Sequence, residues 1–222
     1  MTDQSGNNYD MSGTSTYATV VSADLNGLDV AQFNDLGGYT LSNWPGPFGN
    51  DGQVFAGVVE IDAVGSNAYI SETRANVPAN QLTPLIYRTN QTLTPSNQRR
   101  DGADTDVDLT ASIPSTTGWA IVVLAHEYTG GGIDLRVNGT SEATGTLTST
   151  GSGPETNLTV GLGSSAVNSA PWEHKIAEAI WFDDSLSTGA NGNLERVEGY
   201  LAHKYALTAN LPSLHPYKSS AP

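Results

Sequence analysis

Residues Trp172 to Leu207 read WEHKIAEAIWFDDSLSTGANGNLERVEGYLAHKYAL. Ile176–Phe182 alternates poorly but carries enough large apolar residues to predict a strand buried on at least one face. Asp183, Asp184 and Ser185, then residues 187–193, end that strand with turn-forming side chains. Beyond them Leu194, Val197, Leu201 and Tyr205 recur at three- and four-residue spacing, the stripe of an amphipathic helix over about Leu194–Leu207. A buried strand, a polar turn and one short helix sit at the close of a chain otherwise poor in helical pattern.

The stretch is followed by Leu211-Pro212-Ser213-Leu214-His215-Pro216-Tyr217-Lys218. Together the two resemble the closing segment of concanavalin A-like (LamG-type) jelly-roll domains. Those domains commonly end with IAEVxxYD, a helix reading ExxxVEGYLAxKWxL, and LPxxHPYK. The resemblance implies an all-β, two-sheet antiparallel jelly-roll sandwich with one short C-terminal helix. It covers about residues 1–218. The expected organisation is one domain over 1–222, with 208–222 an extended docking tail.

Composition agrees. A chain of 222 residues suits one sandwich burying roughly 70 % of its unfolded surface. Gly 24 and Pro 11, scattered among short apolar runs, suit an all-β domain with many turns. No run approaches the ~20 apolar residues of a membrane span, and residues 1–20 are too polar for a signal peptide. Cysteine is absent, which excludes disulfides and thiolate metal sites. The formal net charge of -14 repels nucleic acid and anionic lipid.

In order along the chain, the Asp3–Asp10 turn cluster, DQSGNNYD, carries oxygen side chains at calcium-like spacing. It resembles the family's WxDxSGNGND turn, which a strand and a Trp usually precede. Here Met1 lies two residues earlier, so a gap in one sheet is expected. An exposed edge there invites pairing, which would put Met1–Tyr17 at an intermolecular contact; shielding by Leu211–Pro222 is the other way to cover it. Residues 26–34, NGLDVAQFN, continue the likeness. In Leu41–Phe48 the prolines 45 and 47 forbid a central strand, which places Trp44 and Phe48 on a loop as candidate sugar-stacking rings. Tyr128, beside a glycine-rich turn, is the third.

Strands are predicted over 53–62, 68–71, 85–88, 119–125, 133–138 and 158–162, and residues 145–153 read as a loop. The hairpin of Trp119–Ala125 with Ile133–Gly139 looks like the family's central pair ending in xLRVNG. Residues 90–108 are polar and read chiefly as a solvated loop. Their alternating Asp104, Asp106 and Asp108 would share one face of an extended segment, where calcium, or Arg99 and Arg100, would neutralise them. Calcium held by these three is the one cofactor expected.

Catalysis is not expected. Bacterial endo-β-glucanases of this jelly roll carry ExDxE or ExDxxE on a strand, and Glu60-Ile61-Asp62 matches only its start. Retaining hydrolysis needs a second carboxyl group ~5 Å from the first; the positions for the family's last Glu hold Val64 and Gly65. His126, His174, His203 and His215 lack zinc-ligand spacing, and no GxSxG or P-loop occurs. The sequons at Asn90, Asn138 and Asn157 are expected to carry no glycan.

The LPxxHPYK ending is similar to modules in marine bacterial surface proteins and phage virion proteins. An acidic, cysteine-free chain without a leader fits a virion component assembled in the host cytoplasm. The first expectation is therefore a non-catalytic capsid-decoration or tail-associated module at the virion surface. Its partners would be a capsid or tail protein, copies of itself, and surface polysaccharide. The alternative is a free-standing carbohydrate-binding lectin or adhesin, extracellular or at a cell surface; a degenerate glycoside hydrolase is third.

Overall fold

The structure, a computed structural model, describes residues 2, 4–13, 18–34, 38–44, 52–61, 68–75, 82–89, 92–99, 105–108, 111–112, 118–127, 132–146, 158–163, 175–182 and 192–222. In chain order the strands are β1 (Ala18–Leu25), β2 (Leu28–Phe33), β3 (Tyr39–Trp44), β4 (Gly52–Ile61), β5 (Ala68–Ala75), β6 (Leu82–Thr89) and β7 (Thr92–Arg99). They continue with β8 (Thr105–Asp108), β9 (Ala111–Ser112), β10 (Gly118–Glu127), β11 (Gly132–Val137), β12 (Thr140–Thr146), β13 (Leu158–Leu162) and β14 (Lys175–Phe182). Helix α1 (Asn193–Lys204) follows. Two antiparallel sheets result, ordered β1-β2-β14-β4-β10-β11-β12 and β3-β13-β5-β6-β7-β8, with β9 beside β7. The expected two-sheet jelly roll with one short closing helix is the observed fold.

The core explains the strongest sequence signals. Strands β4 and β10 lie mid-sheet and are buried on both faces. Phe55, Val59, Ile61, Val122 and Leu124 point between the sheets toward Ile70, Val160 and Leu162. Val54, Ala56, Val58, Ile121 and Val123 point outward, beneath Leu194, Leu201, Ala202 and Tyr205 of the helical segment. Successive side chains take opposite faces, so a strand covered on both sides reads as a continuous apolar run. Each large apolar side chain buried this way contributes about 1.5–3 kcal/mol.

The poor alternation of β14 has a related cause. Ile176 pairs with Val59 and Glu178 with Val58, so one residue is extra. Past that bulge Ala179 and Trp181 pack inward while Ile180 and Phe182 pack under the helix.

Local chemistry sets the ends of these elements. Asn26-Gly27 and Asn138-Gly139 both have positive φ (51° and 73°, 50° and 80°), the two-residue turn that suits strand twist. Helix α1 closes with Leu207 N–H donating to Ala202 O (2.7 Å) and Ala206 N–H to His203 O (3.4 Å), with Ala206 left-handed at φ 57°.

Several expectations are corrected. Residues 92–99 and 105–108 are strands, not loop. Pro95 is tolerated in β7 because β8 pairs with Ser96–Arg99 and β9 with Thr92 and Leu93, leaving a gap between them. Pro84 similarly precedes the stretch of β6 that β5 pairs. Gly145 and Thr146 belong to β12.

Residues 208–222 are not extended. They pass through a 3-10 turn (Thr208–Asn210) and further turns, with Leu211 and His215 buried. The segment packs there because Gly199 leaves room: a Cβ on it would lie 2.5 Å from that of Tyr217.

Within Met1–Tyr17, Met11 is buried in the core and Ser12 pairs with Thr40 of β3. No helix among the described residues is long and apolar enough to cross a membrane.

Candidate functional site

Strand registers decide which connections meet. In the helix-bearing sheet Gly52 stands opposite Glu127, Ile133 opposite His126, Gly132 opposite Thr146, and Phe182 opposite Val54. In the other sheet Trp44 and Ala75 both stand opposite Leu158, Leu82 opposite Arg99, and Arg99 opposite Thr105. The far ends of the sheets meet where Phe33 packs edge-on against Tyr39, with ring centroids 6.0 Å apart. The strand ends bracketing residues 45–51, 100–104, 128–131 and 147–157 are thereby gathered at one end of the sandwich.

This matters for the residues singled out by sequence. Trp44 is the last residue of β3, a strand position rather than a loop one, since the proline constraint begins only at Pro45. Phe48, Tyr128 and Asp104 lie outside the described residues. The strand ends that bracket them are nevertheless those of the gathered rim. Asp106 and Asp108 belong to β8, opposite Gln98 and Ser96; Arg99 stands opposite Thr105 and not opposite an aspartate. Among the described residues no group of three or more His, Asp and Glu is arranged to hold a metal. In the Asp3–Asp10 turn Ser5 Oγ accepts from the Asn7 backbone N–H (3.2 Å), and Gly6 has φ 85°.

Glu60 sits elsewhere. Ile61 pairs with Gly118 at the opposite end from the rim. Along β4, Glu60 continues the outward series Val54, Ala56, Val58, and Lys175 Nζ lies 3.6 Å from its carboxylate. The same ammonium holds Asp24 at 3.1 Å, and the hydrogen bond to Asp24 is the main reason its pKa is raised. Asp62 lies outside the described residues. Glu60 is thus an ion-paired residue of the outer face.

The most elaborate polar arrangement was not foreseen from sequence. Glu198 of α1 is fully buried and accepts from Arg136 Nε (2.7 Å) and Nη2 (3.1 Å). Arg136 also donates to Gly139 O (3.1 Å) and approaches Asp134 (3.4 Å) and Glu195 (4.0 Å). His215 Nε2 lies 3.2 Å from the second Glu198 oxygen, while its Nδ1 accepts the Tyr217 backbone N–H (3.3 Å). An Nδ1 that accepts carries no proton, so Nε2 is the protonated nitrogen and donates to Glu198. One carboxylate thus ties a strand, the helix and residues 211–218 together. A signal was present: Glu198 stands four residues from Leu194 and three from Leu201, on the apolar stripe itself.

A second cluster joins helix to sheet. Lys204 Nζ donates to Glu178 (3.0 Å) and to the Tyr200 hydroxyl (3.0 Å), and Tyr200 donates to the same Glu178 oxygen (3.2 Å). Burial opposes the charge on Lys204, but the bonds to Tyr200 and Glu178 outweigh it and hold the pKa above its ordinary value. Asn26 Nδ2 donates to Lys204 O, pinning the β1–β2 turn to the helix end.

No protein-family model matches the sequence, and no curated protein matches it either. Solved structures do match. Native heptameric SAP-like pentraxin from Limulus polyphemus superposes at a TM-score of 0.55 with 16% identity, over 73% of this chain and 81% of that one. The shared fold is a two-sheet jelly roll. The binding domain of botulinum neurotoxin serotype D gives 0.62 at 12% identity over 84% of this chain, which spans only 45% of that structure. Domain 4 of the extracellular arabinanase AbnA from Geobacillus stearothermophilus, solved with arabinotriose, gives 0.53 at 18% identity over 79% and 78%. Identities this low establish shared architecture, while function has to be argued from the site.

Proposed function

We propose that this chain is a non-catalytic carbohydrate-binding module that takes its ligand at the rim where Trp44 ends β3. The observation carrying this reading is the register-imposed gathering of the strand ends that bracket Phe48 and Tyr128 beside Trp44. Rings carried at such an edge of a rigid sandwich would offer apolar faces for the C–H surface of a sugar, with loop polar groups to orient its hydroxyls. The sugar-bound arabinanase domain of the same architecture supports the reading. A net charge of -14 favours neutral glycans over sialylated or uronic ones.

The test is a glycan array with the purified chain. Binding to neutral oligosaccharides is expected. Each of Trp44→Ala, Phe48→Ala and Tyr128→Ala should weaken it about fivefold, from ~1 kcal/mol per lost ring contact. A blank array, or binding that all three variants leave intact, overturns the reading. Calcium at Asp104, Asp106 and Asp108 belongs to the same proposal. By mass action it predicts a higher melting temperature in millimolar calcium than in chelator, and equal melting removes it. A capsid- or tail-associated setting is the second reading, favoured by the acidic, cysteine-free composition. Co-sedimentation with virions would support it.

A further inference from the structure

The chain reads Asn-Gly at 26–27, 138–139 and 191–192. Asn191 lies outside the described residues. The other two pairs are hairpin tips with nearly the same backbone, φ 51° and 73° at Asn26-Gly27 and 50° and 80° at Asn138-Gly139. Asn-Gly is open to spontaneous loss of the side-chain amide, because glycine puts no side chain beside the attacking backbone nitrogen. The ring that this attack closes needs backbone angles outside the turn, so its rate follows how often the turn opens. With local chemistry equal, the surroundings decide which pair reacts.

The Asn138-Gly139 turn is locked. Asn138 is half-buried, its Oδ1 accepts from the N–H of Ile121 in mid-sheet β10 (3.0 Å), and its own N–H donates to Ile121 O (2.8 Å). Arg136 Nη2 donates to Gly139 O (3.1 Å). His215, Leu211 and Pro212 close over Gly139, where a Cβ would meet them at 3.0, 3.1 and 3.1 Å.

The Asn26-Gly27 turn is open. Both residues are exposed, and a Cβ on Gly27 would meet nothing within 4 Å. Strand β1 is outermost in its sheet among the described residues. Behind the tip Leu25 pairs with Leu28, then the register slips, and the next pair is Val21 with Val30. Between them Ala23 has φ 56° and its N–H donates to Asp29 Oδ1 (3.0 Å). The Asn26 side chain is held by Nδ2 donating to Lys204 O (2.9 Å), at the end of α1.

We infer that Asn26-Gly27 is a self-modification site, where the folded chain converts asparagine to aspartyl and isoaspartyl residues while Asn138 is preserved. Gly27 N attacks Asn26 Cγ: the N–Cγ bond forms, the Cγ–Nδ2 bond breaks, and Nδ2 leaves as ammonia with the proton of the Gly27 N–H. Water then opens the cyclic imide. Cleavage at Cγ gives aspartate; cleavage at the main-chain carbonyl gives isoaspartate, whose backbone runs through Cβ and Cγ. Neither product keeps the amide N–H that Lys204 O accepts, and both set a new carboxylate near the negative end of the helix. Each event therefore severs the tie between hairpin and helix. It consumes only water.

The experiment keeps the full chain for several weeks in mildly alkaline buffer at physiological temperature, with a parallel sample in concentrated urea. Peptide mapping by mass spectrometry, with aspartyl and isoaspartyl forms resolved, reads each Asn-Gly pair separately. In urea Asn26 and Asn138 should convert at similar rates, which their shared dipeptide sets. In buffer Asn26 should convert at least about tenfold faster than Asn138, the ratio that a modest difference in opening free energy produces. Equal rates in buffer overturn the inference, as does an Asn26 that converts in urea but not in the folded chain. Asn26→Asp, made directly, carries the product carboxylate, and the amides of residues 22–29 should then exchange with deuterium faster than in wild type. Unchanged exchange overturns the severing of the tie.

Discussion

Replacing Glu198 with Gln changes one atom type at a fully buried position, and its cost can be worked from the contacts. Both carboxylate oxygens accept from Arg136, at 2.7 and 3.1 Å, and one also faces His215 Nε2 at 3.2 Å. In either orientation a glutamine amide turns an N–H against a donor of Arg136. The charge of Arg136 then loses its main partner while remaining buried. Removing one member of a buried pair typically costs about 3–5 kcal/mol. Asp134 at 3.4 Å, Glu195 at 4.0 Å and the Gly139 carbonyl at 3.1 Å still compensate the guanidinium, which places the loss near the lower end, about 3 kcal/mol. In a domain of this length each kcal/mol is worth about 2–4 °C, so Tm should fall by about 6–12 °C. Thermal melts followed by circular dichroism at neutral pH measure it. Replacing both partners, Arg136→Met with Glu198→Met, should cost less than Glu198→Gln alone, because no buried charge is stranded. A Glu198→Gln protein melting within about 2 °C of wild type refutes the reasoning.

Gly199→Ala should destabilise by about 1–3 kcal/mol, since its Cβ would lie 2.5 Å from that of Tyr217. Faster proteolysis within residues 208–222 is the readout, and a normal digestion pattern would show that the helix yields instead. Ala206→Gly should stabilise by roughly 0.5–1 kcal/mol in denaturant melts, because Ala206 holds φ 57° where glycine is unstrained. Burial pushes the Tyr205 phenol up to about 12, with the charge of Glu178 adding to it. The unfolded phenol titrates near 10. Stability from this group is therefore intact below about pH 10 and is lost as pH rises toward 12, by about 3 kcal/mol across the two units. Tyr205→Phe should flatten that decline in urea melts between pH 9 and about 12; an equally steep decline assigns it to other groups.

The sequence by itself determined the elements whose signals are local. The stripe Leu194, Val197, Leu201, Tyr205 gave α1 to within a few residues, because one helix face is buried against one sheet. The apolar runs of β4 and β10 read as strands because both of their faces are covered. Asn26-Gly27 and Asn138-Gly139 are turns in sequence and in space, since few other pairs accept two positive φ values. Tertiary structure alone decided the rest. The sequences of β7 and β8 carry no apolar alternation; β7 is extended because β6 offers a ladder and β8 because β7 does, so propensity was outvoted by pairing. The bond from Arg136 to Glu198 spans 62 positions and that from His215 spans 17. Nothing at either partner names the other until sheet order and the Asn138-Gly139 turn bring them together. The same holds for the rim. Trp44, Phe48 and Tyr128 were individually visible as aromatics, but only the registers of β3, β4, β10 and β13 place the strand ends that bracket them at one edge. Strand register depends on which faces are buried across the whole sandwich, and that is a property of the folded chain and not of any window along it.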